Sequence, residues 1–246
     1  SGYLSRLLRA LESAGLVTVE PSAADRRVRT ARLTAKGHKE RVLLDRRSDA
    51  LARSILDPLN DGQRERLVAA MTEVDRLLTA AMVDIDEVDP EERDAQFCLR
   101  SYFAELDRRF DSGFDATATL PCDPHEMRSP MGLFLVAVLR GDPVGCGALK
   151  FHGDDPTEVK RMWVAPSARG LGLGRRLLTE LETRAAAHGS HTVRLETNKA
   201  LTEAIAMYRS SGYVEVDAFN DEPYGDHWFA KPLAPSNANV GWKQTS

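Results

Sequence analysis

The sequence predicts a mixed α/β domain behind a shorter, mainly helical segment, and three observations predict it. Glu158 to Leu178 reads as a strand, a glycine-rich loop and an amphipathic helix in direct succession. From Val83 to Lys231 the periodicity runs strand, helix, loop, hairpin, strand–helix, strand–helix, strand, strand. Charge is also split along the chain: residues 1–79 carry 15 Lys and Arg against 11 Asp and Glu, and the remainder carries 18 against 26. A basic front and an acidic back point to two modules with different partners.

Bulk properties narrow the class. A chain of 246 residues with 42% hydrophobic and 28% charged residues suits a soluble globular protein of one large or two ordinary domains. No apolar run approaches a membrane span and no signal peptide is visible, so no membrane partner is expected. Cys98, Cys122 and Cys146 are odd in number and lack metal-ligand spacing, which points to reduced thiols in the cytoplasm and to no metal site. The first residue is Ser, not Met, so a longer parent chain is expected.

In order, Gly2 to Ala14 is a helix with Leu4, Leu7, Leu8 and Leu11 at i, i+3, i+4 and i+7, stopped by Gly15. Ser5, Arg6 and Arg9 fall on its other side. A strand (16–20), a turn-prone tip holding Asp25, Arg26 and Arg27, and a second strand (28–33) follow. A helix and hairpin that both carry arginines are what a winged helix-turn-helix presents to DNA, although a solvated basic surface has the same pattern. Thr34 caps a helix that runs to about Leu56; Pro58 ends it, and Asn60 or Asp61 opens another running to about Met82. Its stripe of Leu67, Val68, Met71, Val74, Leu77 and Leu78 fits either a dimer interface or packing on the chain's own hairpin.

Val83 to Val88 alternates as a strand, and a helix from Glu91 to about Phe110 takes Phe97, Leu99, Tyr102, Phe103 and Leu106 as its apolar face. Residues 111–131 form a long loop, and with Phe114 and Glu126 it is where an acceptor pocket could lie. Strands 133–139 and 144–151 form a hairpin, with Gly145 and Gly147 marking a close approach of backbone or ligand. The central strand (159–164) leads through the loop to a helix (173–187) whose buried face is Leu173, Leu177, Leu181 and Ala185. A strand (192–197), a helix (201–211) and strands 213–216 and 227–231 complete the domain. Residues 234–246 read as a loose tail.

The loop carries the chemistry. Gly170, Gly172 and Gly174 clear side chains from backbone N–H groups at a helix start, and Arg169, Arg175 and Arg176 add positive charge. A pyrophosphate suits this spot. No Gly-Lys-Ser/Thr ending exists for a P-loop, and the glycines fall at every second position rather than as Gly-x-Gly-x-x-Gly, so Glu196 is a decoy for a ribose-binding acid. Arg169-Gly-Leu-Gly-Leu-Gly174 fits Arg/Gln-x-x-Gly-x-Gly/Ala, and Ala204-Ile-Ala-Met-Tyr-Arg-Ser-Ser-Gly-Tyr213 fits Ala-x-x-x-Tyr-x-x-x-Gly-Phe/Tyr. By these motifs residues 82–233 resemble the GNAT superfamily of N-acetyltransferases. The resemblance implies the GNAT fold, a mixed and mostly antiparallel sheet with flanking helices, and acetyl-CoA as co-substrate.

Carried onto matching positions, the resemblance assigns roles. Backbone groups of Met162, Trp163 and Val164 would pair with the pantetheine arm, and an N–H near Val164 would stabilise the oxyanion. Arg169, Gly170, Gly172, Gly174 and Arg175 would hold the pyrophosphate. Tyr208 stands in the general-acid position, with a core tyrosine as the rival reading. Asn198 either contacts the cofactor arm or caps the next helix. Glu158, read as sharing a strand face with Met162, is either a general base or a strand-edge charge; His152 and Glu196 are weaker candidates. No cysteine occupies either motif and Cys146 reads as a small core residue, so direct attack in a ternary complex is expected.

The front of the chain has its own resemblance. Gly2-Tyr-Leu-Ser-Arg-Leu-Leu-Arg-Ala-Leu-Glu-Ser-Ala-Gly-Leu-Val17, Asp25-Arg-Arg27 and Leu33-Thr-Ala-Lys-Gly37 are similar to the recognition helix, wing and next helix start of MarR-type regulators. Residues 1–80 would then be a partial winged-helix segment, with Ser5, Arg6, Arg9, Arg26 and Arg27 towards DNA and Asp25 bracing the wing. The preceding helices of that family are not in this sequence, so DNA binding is an expectation about a longer parent. The reading at this stage is an N-acetyltransferase acting on a small amine and carrying a MarR-like segment. Its rivals are a regulator that only senses acyl-CoA and a protein-lysine acetyltransferase.

Overall fold

The computed structural model describes residues 2–21 and 28–234. They divide into two compact units, the first ending at Thr72 and the second starting at Glu73. Asp25, Arg26 and Arg27, together with the tail after residue 234, lie outside the described residues.

The first unit contains α1 (Gly2–Ser13), the antiparallel pair β1 (Val17–Pro21) and β2 (Arg29–Leu33), α2 (Ala35–Leu56) and the start of α3 (Asp61–Ala81). Thr34 caps α2 as its side chain predicts: its hydroxyl accepts from the Gly37 N–H at 3.0 Å and donates to the Gly15 carbonyl at 2.7 Å. Gly37 is a glycine because the chain crosses over it; a Cβ there would sit 2.0 Å from the Leu16 carbonyl oxygen. Asn60 and Gln63 satisfy each other's backbone N–H groups at the start of α3. Apolar burial is scant. Among the described residues α1 and α3 bury nothing fully and α2 buries only Gly37. Val68, Met71, Val74, Leu77 and Leu78 are exposed.

The second unit is a sheet of β3 (Val83–Glu87), β4 (Gly132–Leu139), β5 (Asp142–His152), β6 (Asp155–Val164), β7 (Thr192–Thr197), β9 (His227–Pro232) and β8 (Val214–Val216), in that spatial order. Only β6 and β7 pair in parallel. Helix α5 (Leu173–Ala187) covers one face: Leu177, Leu178, Leu181 and Ala185 meet Leu133, Leu135, Leu149, Val159, Val193, Leu195 and Phe229. Helix α4 (Arg93–Arg109) covers the other, where Ala95, Cys98 and Leu99 meet Phe134, Val136, Cys146, Ala148 and Trp163. Alternate residues of β4 enter opposite layers, as a strand buried on both faces requires. Helix α6 (Thr202–Ser210) packs Ile205 and Tyr208 into the α5 layer.

Two readings of the sequence need correction. Phe97 is not on the buried face of α4; it is 44% exposed and meets Trp163 edge-on. The buried stripe instead passes through Ala95, Cys98, Leu99 and Leu106, with Phe97 off its line. Gly145 and Gly147 admit α5 rather than a ligand. A Cβ on Gly147 would lie 2.7 Å from Leu181 Cδ1 and 2.8 Å from Met162 Sδ, and one on Gly145 would meet Leu177 Cδ1 at 3.1 Å.

Leu181 is fully buried and seats against this glycine notch. Its truncation to Ala leaves a void that the sheet cannot fill, and is expected to destabilise the second unit by about 2–5 kcal/mol, read as a lowered unfolding temperature.

Candidate active site

The site is built where two strands stop pairing. β6 and β7 are joined only at Thr157–Val193 and Glu158–Arg194, after which they part. Beyond that point the β6 backbone from Val159 to Val164 has no strand on its β7 side, leaving groups there open to a ligand. The parting coincides with a bulge. Between the Cys146–Trp163 and Ala148–Lys160 pairs, β6 holds two residues, Arg161 and Met162, against Gly147 alone. Arg161 takes a left-handed backbone conformation, φ 56°, which is uncommon for a residue with a side chain.

The bulge reassigns the strand faces. Val159, Met162 and Val164 pack on the α5 side, whereas Lys160 and Trp163 face the other way. Glu158 therefore does not share a face with Met162, contrary to strict alternation from the sequence. It lines neither cavity of the site. Its carboxylate is held by Arg194 at 2.9 Å, Lys160 at 3.3 Å and His152 at 3.4 Å. Burial alone would raise its pKa, but the neighbouring Lys160, His152 and Arg194 bring it below the usual carboxylate value. Such a group is a poor proton acceptor at neutral pH, and the predicted base at Glu158 is withdrawn in favour of an ionic brace.

A groove of about 460 Å³ follows the open edge of β6 to the start of α5. It is lined by Met162, Trp163, Val164, Arg169, Gly170, Gly172, Gly174 and Arg175, joined by Leu173, Ala204, Met207 and Tyr208. Gly170 and Gly172 have φ of 79° and 76°, so the loop bends through conformations that glycine alone adopts freely. Gly172 is the N-cap of α5 and has no side chain with which to cap it. The first helical bond runs from the Arg176 N–H to the Gly172 carbonyl, leaving the amides of Leu173, Gly174 and Arg175 without intrahelical partners. Those amides and the helix dipole form an anion site of the kind the spacing predicted.

The arginines divide their work. Arg175 lines the groove and donates to the Ser210 hydroxyl at 2.9 Å. Arg176 is turned away and donates to the Ala80 carbonyl within the same unit. Arg169 lines the groove, but its guanidinium is committed to both oxygens of Glu105 and to the Val164 carbonyl. Glu105 also accepts from the Trp163 indole at 3.0 Å and from Arg109 at 3.3 Å. This buried carboxylate ties α4, β6 and the glycine loop together. Sequence reading missed it, because a glutamate on a helix carries no local sign that three side chains will converge on it.

Tyr208 lies where the groove meets a second, narrower cavity of about 90 Å³, and it lines both. Burial pushes its pKa well above the ordinary phenol value, with Tyr102 and Glu196 adding to the rise. The hydroxyl keeps its proton through neutral pH. The narrow cavity is walled by Tyr102, Phe110, Phe114 and Tyr224 and carries Lys160, Arg161, Glu196 and Glu222. Asn198 belongs to this cavity and not to the groove; its amide donates to the Tyr224 carbonyl and its oxygen accepts from the Ala200 N–H. The predicted cofactor contact at Asn198 gives way to a brace for the loop before β9. Of the two loop residues singled out, Phe114 lines the cavity; Glu126 instead caps a short helical turn and pairs with Lys150 at 2.7 Å. Cys146 is fully buried with its thiol pKa pushed far up, which makes it a packing residue.

Comparison with known proteins follows the same residues. The sequence pattern of the acetyltransferase (GNAT) family matches residues 92–213. An "IAA acetyltransferase" of Azospirillum brasilense is 39% identical over 122 residues, covering 49% of this chain and 78% of that protein. The chain belongs to the GNAT family. A Klebsiella pneumoniae chain provisionally assigned as an acyl-CoA N-acyltransferase superposes with a TM-score of 0.50 at 28% identity, covering 63% of this chain and 99% of that one. A GNAT-family acetyltransferase of Staphylococcus aureus Mu50 shares the fold, with a TM-score of 0.52 over 62% of this chain and 99% of its own. The GNAT chain is thus an acetyltransferase that uses acetyl-CoA, and the groove fits that donor: free amides for phosphates at one end, an open strand edge and apolar walls along the rest. Among the described residues no group of three or more His, Cys, Asp or Glu could hold a metal, and no helix is long and apolar enough to cross a membrane.

Glu158→Gln separates the brace from the base. Glu158 has its folded pKa lowered below 4.5, so its stabilisation is present above that pH and is lost as pH falls through the lower folded value. The variant is expected to lose about 1–3 kcal/mol at pH 7 and to show a flatter acid limb in thermal melts. Turnover should stay within about tenfold of wild type, short of the 10²-fold or greater loss of a general base.

Proposed function

We propose that this GNAT domain transfers the acetyl group of acetyl-CoA to the amine of a small molecule by direct attack in a ternary complex. The observation that carries the reading is the position of Tyr208 at the junction of groove and narrow cavity. The co-substrate supplies an acetyl group activated as a thioester. The open β6 edge at Met162–Val164 orients the donor as an added strand would, and an N–H there, near Val164, faces the charge that develops on the acyl oxygen. The α5 amides and Arg175 hold the pyrophosphate. The amine loses one proton to solvent before it attacks; as the C–S bond breaks, Tyr208, kept protonated by burial, donates its proton to the departing sulfur, and the second proton shed by the nitrogen restores the phenol. The narrow cavity, some five times smaller than the groove, favours a compact acceptor over a lysine on a protein surface.

The experiment is thiol release with a panel of amines. Tyr208→Phe is expected to lower kcat by roughly 10²-fold or more while coenzyme A binding by calorimetry stays unchanged. Binding of acetyl-CoA without turnover of any acceptor by the wild type would instead favour a sensor.

For residues 1–80 we assign the partial MarR-type winged-helix segment, with Ser5, Arg6, Arg9, Arg26 and Arg27 as its candidate DNA contacts. Support comes from the exposed α1 and the adjoining hairpin. The exposed apolar stripe on α3 is assigned to a second copy of the chain. Sedimentation is expected to give a dimer for the wild type and a monomer for Met71→Glu/Leu78→Glu; a wild-type monomer would refute the assignment.

A further inference from the structure

The narrow cavity contains an unbalanced pair of charges. Four charged side chains line it, two of each sign: Lys160, Arg161, Glu196 and Glu222. Lys160 and Glu196 cancel, with Lys160 Nζ 2.5 Å from Glu196 Oε1 and a second carboxylate, Glu158, 3.3 Å away. Arg161 and Glu222 do not pair with each other, and neither forms an ion pair with any described residue.

Glu222 is buried, at 9% exposure. The other two carboxylates buried to this degree both hold cations: Glu105 has Arg169 and Arg109, and Glu158 has Lys160 and Arg194. Glu222 has only neutral donors, the Thr119 hydroxyl at 2.8 Å, the Leu120 N–H at 3.0 Å and a longer contact to the Tyr224 N–H at 3.4 Å. Glu222 thus lacks the counter-charge the other two buried carboxylates have, and a cation reaching it would supply one. The aromatic faces of Phe110, Phe114 and Tyr224 around it suit an ammonium as well.

Arg161 is the opposite case. Its guanidinium lies 5.1 Å above the Phe103 ring and 5.9 Å from that of Tyr102. These contacts orient the fork but leave its charge uncompensated. The left-handed backbone at Arg161, in the bulge that splits β6 from β7, is what brings this residue to the cavity at all.

We propose that the acceptor is a small amino acid or similar amino carboxylate, its carboxylate taken by Arg161 and its ammonium by Glu222. This rests on the acetyltransferase reading above and names the acceptor class for it. A cation alone would leave Arg161 unmatched, and an anion alone would leave Glu222 unmatched. Loop 217–226 sets Glu222 in position through Asn198 to the Tyr224 carbonyl, Lys199 N–H to Asp226 and Asp226 N–H to the Thr197 carbonyl.

The test compares matched acceptors: alanine against ethylamine, and serine against ethanolamine, by acetyl-CoA-dependent thiol release with the full chain. Wild type is expected to favour each amino acid over its amine by at least about 30-fold in kcat/KM. Arg161→Asn, a residue that tolerates the left-handed backbone, should reduce that preference to under about threefold, and Arg161→Lys should restore part of it. Glu222→Gln should raise KM for alanine at least about tenfold. Thermal melts establish that each variant folds. Equal use of amines and amino acids by the wild type overturns the proposal and leaves the acetyltransferase reading intact. Where no acceptor turns over, calorimetry of alanine against the coenzyme A complex decides: uptake that Arg161→Asn abolishes supports the proposal, and no uptake overturns it. Failure of coenzyme A itself to bind sinks the acetyltransferase reading instead.

Discussion

Everything in the second unit depends on β6 and β7 remaining a pair for two residues and then ceasing to be one. A parallel pair that continued would satisfy its own backbone and bury it, and the sheet would be featureless there. Parting leaves amide and carbonyl groups of β6 without a strand partner, open to a ligand along the groove, in a sheet covered on both faces by α4 and α5. The bulge at Arg161 is the device that opens the gap. It spends one residue to turn the strand and reverses which side chains face which layer.

Such an opening weakens a sheet, and the charged groups around it hold it in shape. Glu158 fastens β6 to β7 at the last paired position through Arg194, and Lys160 carries the link onward to Glu196. Glu105 does the same on the other flank, where α4, Trp163 and Arg169 converge. The Glu105 and Glu158 carboxylates are buried, and losing a cationic partner would leave such a charge stranded. Glu158 and Glu196 look catalytic in the sequence because they are acidic residues near motifs, whereas Glu105 drew no such reading. Geometry makes them structural: their charges are already answered.

The elements themselves were legible. Helix α5 and strand β7 begin and end where the periodicity places them, because a buried stripe at spacing four and a run flanked by turn residues each leave a local signal. The glycine loop was legible for the same reason: φ values near +80° and an uncapped helix start both demand glycine in the chain. The face assignment of β6 was not. Alternation assumes an unbroken strand, and nothing in Val-Lys-Arg-Met-Trp-Val declares that an arginine will adopt a left-handed conformation. Glu105, Glu222 and the true lining of the narrow cavity were silent for a different reason. Their roles depend on distant partners, such as Trp163 58 residues from Glu105 and Thr119 103 residues from Glu222, and Phe97 misled because one off-stripe aromatic looks like a core residue in a helix that is half buried.

The same distinction bears on how function is read from a charged pocket. Counting charge gives the narrow cavity a net of zero and suggests indifference to charged ligands. Following each charge to its partner gives a different answer, because a neutralised pair and two separated opposite charges sum alike but attract differently. The first resists any ion that would break it; the second leaves one charge of each sign open to a ligand. Net charge along the chain, acidic in this half, is therefore a poor guide to the acceptor, and the pairing pattern inside the cavity is the better one.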